Sequence, residues 1–157
     1  MTEYRPRKFT SDAEIEHIGE GLLAPGVEGT ALRSLEEPGS AYNDDVLGPD
    51  PQPKHMDGYV QTSEDNGGVH VNSGIPNHAF YLFATNLGGN AWDRAGPVWY
   101  SALRDPRLQT SAQFVQFASA TSRAANRLYP GTDVGQQLHE AWKAVGIDID
   151  RATREPA

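Results

Sequence analysis

The sequence predicts an all-α fold, a helical bundle of about five helices with a long irregular loop inserted after the first. Three observations predict it. Five segments repeat apolar residues every three or four positions, the period of an amphipathic helix. No segment alternates apolar and polar residues as a half-buried strand does, and no internal repeat is present. Over residues 24–62 the periodicity disappears and Pro, Gly, Asp and Asn accumulate, the composition of an irregular surface connection. A chain of 157 residues, 38% hydrophobic and 22% charged, suits one globular domain with a buried core. The expected division is an N-terminal tail over residues 1–11, the helical domain over 12–147 and a C-terminal tail over 148–157.

The first helix is expected over residues 12–23, "DAEIEHIGEGLL". There Ile15, Ile18, Leu22 and Leu23 share a face, Asp12 is the N-cap and Pro25-Gly26 end the segment. The loop that follows holds Tyr42, Val46, Leu47, Met56 and Tyr59, apolar anchors that predict a packed rather than a free connection. "IPNHAFYLFATNLGG" enters at Ser73 and Pro76 and stops at Gly88-Gly89; apolar almost all round, it is expected as the central buried helix. "AWDRAGPVWYSALRD" places Trp92, Ala95, Trp99 and Leu103 on one face, with Pro97 kinking the helix or breaking its first turn. "TSAQFVQFASATSRAANRLY" opens with a Thr110–Gln113 capping box and aligns Phe114, Phe117, Thr121, Ala124 and Leu128. "TDVGQQLHEAWKAVG" aligns Val134, Leu138, Ala141, Trp142 and Val145, with Gly146 as its C-terminal stop.

Composition excludes several function classes. Cysteine is absent, so disulfides and thiolate zinc sites are ruled out. The net charge of −8 is unevenly placed: residues 1–70 carry 14 acidic side chains against 5 Lys/Arg, and 71–157 carry 7 against 8. No basic stripe interleaved with aromatics appears, which argues against a nucleic-acid partner. The acidic half fits a calcium site, a basic partner or solubility alone. No apolar run approaches the roughly 20 residues that cross a membrane. The N-terminus has basic residues but no apolar signal-peptide core. The chain as it stands is therefore expected in the cytoplasm, and secreted if derived from a longer precursor.

Two motifs raise chemistry. "HEAWK", residues 139–143, begins like the HExxH of zinc peptidases, but Lys143 stands at the second ligand position and an ammonium does not bind zinc. It reads as a surface helix turn. His17, His55 and His78 show no paired ligand spacing and read as surface or packing residues. In "SEDNGGVHVNSGIPNHAF", by contrast, Gly67-Gly68 permit unusual backbone geometry beside His70. Asp65 is placed to accept a hydrogen bond from one imidazole nitrogen, leaving the other to donate outward to an oxyanion. Taken alone, the residues fit an Asx-type turn that caps the following helix better than they fit a catalytic group.

"EDNGGVHVNSGIPNHAFYL" resembles the segment of thermolysin-like zinc metallopeptidases, family M4, that opens their helical C-terminal domain. The resemblance continues upstream through "IGEGLLAPGVEGTALRSLEEPGSAYNDD" and downstream through "LGGNAWDRAGPVWYSAL" to "AWKAVGI", about residues 15–147. The string Asp-Asn-Gly-Gly-Val-His carries it most specifically. "DDVLGPDPQPKHMDGYVQT" is more similar to the protealysin-like branch than to thermolysin itself. The resemblance implies that His70 hydrogen-bonds the tetrahedral intermediate of peptide hydrolysis and that Asp65 orients it. It implies that Arg33, in "LRS", grips the substrate carbonyl on the leaving-group side. Ile18, Leu22 and Leu32 match residues that wall the pocket for a large apolar side chain after the scissile bond.

The departures are as informative. In family members the zinc-binding HExxH and a third ligand, a downstream glutamate, precede the region that matches this chain. No metal site is therefore expected here. Zinc, and calcium, would enter only with a catalytic N-terminal half. Of the family's calcium carboxylates near the first helix only Glu20 keeps its place, with Ile15 and His17 at ligand positions. The implied function is the C-terminal, substrate-binding and transition-state-stabilising half of a neutral metalloendopeptidase, inactive alone, with an HExxH-bearing half and peptide substrates as partners. The alternative is a non-catalytic interaction or regulatory protein that docks on a peptidase or its propeptide. Either way, an apolar groove around the first helix and Arg33 is expected to be exposed and to self-associate or recruit a partner.

Overall fold

A computed structural model describes residues 15–149. The expected Asp12 cap and the tail over 1–11 lie outside the described residues. The helices are α1 (Asp65–Asn72), α2 (Gly74–Leu87), α3 (Ala95–Leu103), α4 (Phe114–Leu128) and α5 (Val134–Ala144). Four two-residue strands precede them: β1 (His17–Ile18), β2 (Arg33–Ser34), β3 (Asn43–Asp44) and β4 (Gly48–Pro49). They form two antiparallel pairs, β1 with β2 and β3 with β4. The chain is all-α in class, as expected, with its fifth helix in a different place.

The expected first helix does not form over its described part. Gly19 and Gly21 take φ of 81° and 72°, which an α-helix cannot contain. Instead β1 pairs with β2 in the register His17↔Ser34 and Ile18↔Arg33, and the Leu35 N–H donates to the Glu16 carbonyl at 2.6 Å. A helical apolar spacing thus lies on an extended segment, because two glycines override it.

α2 is central, as its apolar perimeter predicts: Ile75, Ala79, Phe83 and Ala84 are buried, and Gly88 ends it at φ 64°. It packs on α5, which packs on α4, which packs on α3. At the centre the Trp99 and Trp142 rings stack 5.6 Å apart and 4° from parallel, with Phe83 stacked at 5.8 Å and Phe80 and Phe117 edge-on. Such contacts add to burial about 0.5–1.5 kcal/mol per aromatic pair. Ala118, Ala120, Ala124 and Ala125 make room on α4 for these rings. Trp142 is fully buried, and its Nε1–H donates to Thr121 Oγ1 at 3.0 Å, leaving the indole satisfied.

Two helix starts differ from expectation. The buried face of α3 is Ala95, Val98 and Ala102, while Trp92 and Leu103 are exposed; Pro97 sits in the first turn, where a missing N–H costs nothing. α4 is capped three residues later than expected, at Gln113 rather than Thr110: the Gln113 N–H donates to Gln116 Oε1 at 2.7 Å, and Leu128 lies outside the core. α5 matches its expected face, with Val134, Leu138, Ala141, Trp142 and Val145 buried.

Candidate functional site

The long loop is ordered by buried carboxylates more than by the apolar anchors. Tyr42 and Met56 are half-buried, but Val46, Leu47 and Tyr59 are exposed. Asp50 accepts from the N–H groups of Gly39, Ala41 and Gln52, each at 3.2 Å. Asp44 accepts from Glu28, Val46 and Leu47. These N–H donors, Glu28 foremost, hold the Asp44 carboxyl below the usual carboxylate range. A loop short of apolar side chains has its backbone donors satisfied this way.

The segment carrying His70 starts with a left-handed turn. Asp65, Asn66, Gly67 and Gly68 have φ of 51°, 49°, 86° and 75°, and the N–H groups of Gly67 and Gly68 both donate to the Glu64 carbonyl. Asp and Asn tolerate this region and Gly occupies it freely, whereas other residues pay about 1–2 kcal/mol each. The turn aims Asp65 back along the helix. Its Oδ2 accepts the His70 N–H at 2.7 Å, and its Oδ1 is hydrogen-bonded to His70 Nδ1. The His70 ring, followed by the His70 N–H, holds the Asp65 carboxyl below its ordinary value. Both readings of the motif therefore coexist in one carboxylate, which caps the backbone and fixes the ring. With Nδ1 committed to Asp65, Nε2 is left for an external partner on a side chain 77% exposed.

Polar clamps fix this turn to the loop. Buried Gln52 donates through Nε2 to the His70 carbonyl and to Ser73 Oγ, both at 2.7 Å. Buried Asn72 both donates to the Val60 carbonyl and accepts the Val60 N–H, each at 2.9 Å. A Cβ on Gly68 would meet Asn72 Nδ2 at 2.8 Å, and one on Gly74 would meet the Pro53 carbonyl at 2.5 Å. Neither Gln52 nor Asn72 stands out in the sequence. The one signal is a polar residue locked between Pro51 and Pro53.

The strand pair brings Ile18 and Leu32, two of the three expected wall residues, together with Arg33. Ile18 faces Arg33 in register, the Leu32 N–H donates to the Ile18 carbonyl at 3.0 Å, and a Cβ on Gly19 would touch the Leu32 side chain. Arg33 Nη1 donates to the Leu32 carbonyl at 2.6 Å. Ile18, Leu22 and Leu32 are 51%, 70% and 40% exposed, an apolar surface on the strand pair and the turn beside it.

Among the described residues no three His, Asp or Glu side chains gather where a metal ion could sit, so they do not fit the three protein ligands of a catalytic zinc. His17 Nδ1 lies 3.4 Å from Glu20 Oε1. His55 Nδ1 accepts the Asp57 N–H, and His78 Nδ1 bonds the Leu35 carbonyl. In "HEAWK", His139 Nε2 bonds Ser122 Oγ at 3.0 Å, and Lys143 is exposed. No helix among the described residues is long and apolar enough to cross a membrane.

The helical domain thus presents an exposed histidine fixed by Asp65, and the β1–β2 pair presents Arg33. The family profile described as "Thermolysin metallopeptidase, alpha-helical domain" matches residues 1–147, and the chain belongs to that family, the M4 peptidases, as their C-terminal helical domain. The precursor of protealysin, a metalloproteinase from Serratia proteamaculans, is 53% identical with a TM-score of 0.80, over 84% of this chain and 41% of that one. An extracellular metalloprotease of Pectobacterium carotovorum subsp. carotovorum is 50% identical over 132 residues, 84% of this chain. Thermolysin of Alicyclobacillus acidocaldarius subsp. acidocaldarius is 37% identical over 138 residues. The chain spans 38% of the first of these two proteases and 23% of the second.

Proposed function

We propose that the chain is the substrate-binding and transition-state-stabilising half of a thermolysin-like neutral metalloendopeptidase. The observation that carries this reading is the Asp65–His70 pair, a ring fixed at Nδ1 and exposed at its other end. With Nδ1–H given to Asp65, Nε2 donates only when the ring is protonated. A donor so held stabilises negative charge developing on a peptide oxygen. Arg33 supplies a cation for the substrate carbonyl, and Ile18, Leu22 and Leu32 an apolar wall for the following side chain. Zinc and the general base are assigned to an HExxH-bearing N-terminal half, so this chain's own residues bind, orient and stabilise the substrate alone. Relatives named as extracellular proteases favour secretion as part of a longer precursor over the cytoplasmic expectation. The regulatory alternative would use the same exposed wall to dock on an already complete peptidase.

The test is reconstitution with a purified N-terminal half, read by peptide hydrolysis and zinc content. His70→Ala should lower kcat by about 10²–10³-fold with zinc content and KM little changed, the scale of one lost oxyanion donor. Asp65→Asn should act in the same direction more mildly, and Arg33→Ala should raise KM as well. An unchanged kcat in His70→Ala, or loss of its zinc, defeats the assignment. Inhibition of a complete peptidase, with no reconstituted turnover, would favour the regulator.

A further inference from the structure

Two exposed features lie outside that site, and each lacks what the other offers. The first is an open groove of about 890 Å³ along α3 and at the C-terminal end of α4. Trp92, Tyr100 and Leu128 give it an apolar lining, and Arg104, Arg107 and Arg127 line it with positive charge. Arg107 is committed to Asp105, which also takes Arg123. Arg104 lies over the Tyr100 ring and Arg127 donates to Ser101 Oγ, contacts that orient the two cations without neutralising them.

The second feature is the hairpin tip between β3 and β4, "DDVLG". Val46 is 89% exposed and Leu47 52%, beside exposed Asp45. Asp44 Oδ1 accepts the N–H groups of both Val46 and Leu47, so the tip is pre-organised and little ordering entropy remains to be lost on contact. The tip belongs to the acidic part of the chain: residues 15–70 carry 11 acidic side chains against 2 basic ones. The stretches 1–14 and 150–157 each carry as many basic as acidic side chains, so neither supplies the negative charge the groove calls for.

We propose that the groove receives the β3–β4 tip of a second copy of this chain, with Val46 and Leu47 against the Trp92, Tyr100 and Leu128 surface and Asp45 towards the Arg104 and Arg127 charges. The contact is heterologous: a tip on one copy meets a groove on the next, so it closes in reciprocal pairs or runs on head to tail. Two aliphatic side chains on a turn bury less than the roughly 1,200 Å² of a stable interface, which makes the contact weak and salt-dependent.

Sedimentation of the full 157-residue chain, with concentration and salt varied, tests this. The expected result is a concentration-dependent rise in mass that falls at high salt. Val46→Ser with Leu47→Ser should weaken association about tenfold or more, the scale of two aliphatic side chains returned to water. Asp45→Arg and Arg104→Glu should each weaken it, yet their equimolar mixture should associate, because the intact groove of one meets the intact tip of the other. The double variant Asp45→Arg/Arg104→Glu should recover it. A monomer at every concentration overturns the proposal. So does association that ignores these changes and vanishes with Leu22→Ser, which would place the contact on the Ile18–Leu32 surface.

Discussion

The two halves of the molecule are held by different physics. Residues 74–149 form a helical core of stacked Trp and Phe rings packed against alanines, with Trp142 at its centre. Residues 15–72 contain little apolar burial. They are fixed by Asp44, Asp50, Gln52 and Asn72, four buried polar side chains bonded mainly to main-chain groups. The candidate site sits on the second kind of structure and leans on the first through α2. Apolar packing is strong and tolerant of small shifts, whereas a polar clamp fixes positions closely and fails when one partner is lost. A region proposed to position an imidazole is better served by clamps, and a scaffold by packing.

The largest expected effect breaks the scaffold. Trp142→Ala should destabilise the whole fold by about 3–5 kcal/mol, because a fully buried indole leaves a cavity and orphans the Thr121 contact. Urea unfolding followed by circular dichroism measures it, and a change under about 1 kcal/mol would show that the stacked core is not what holds the helices together.

Breaking a clamp should cost less and stay local. Asn72→Ala removes both bonds to Val60 at once and is expected to cost about 1–3 kcal/mol. Amide exchange should show lost protection at Val60 with helical amides such as that of Phe83 unchanged. Equal loss in both halves would mean that the two regions unfold as one unit.

Acid should separate the halves most finely. Asp44 and Asp65 in the loop half have pKa values below their unfolded value near 3.9. Stability from such groups is fully present above that unfolded value and is lost as pH falls through the lower folded values. As pH falls below about 4 the amides of Glu28, Val46 and Leu47 should therefore lose protection ahead of the α2–α5 core. The helical half has its own acid-sensitive point in Asp105, depressed mainly by Arg107. Asp105→Asn should flatten the acid dependence of the helical amides and leave that of the Asp44 amides unchanged, as exchange at two pH values would show.

The same division explains what was legible in the sequence. α2 and α5 could be read because burial imposes the 3.6-residue period on their side chains, and Gly88 and Gly146 mark where each stops. The Asp65–His70 contact was legible because both partners lie within five residues. The strand pair was not. Its apolar residues imitate a helix, and Gly19 and Gly21, which forbid one, look in sequence like ordinary tolerated glycines. Nor did Asp44 and Asp50 announce themselves, since a carboxylate that gathers distant N–H groups has no periodicity. Val46 and Leu47, which looked like anchors, face solvent. The roles proposed for His70 and Arg33 came from resemblance, and the geometry adds how each side chain is fixed.

The left-handed turn at Asp65–Gly68 bears on how the motif should be counted across genomes. Its letters are dictated largely by handedness: two glycines and two residues that tolerate positive φ, with no room for a Cβ at Gly68. A lineage that abandoned peptide hydrolysis would still be under pressure to keep that spelling, because losing it would undo the fold before it touched any chemistry. On the role proposed for His70, the informative letter for surveying active and retired copies is the histidine at position 70, whose exposed ring the fold could spare, and not the Asn-Gly-Gly ahead of it.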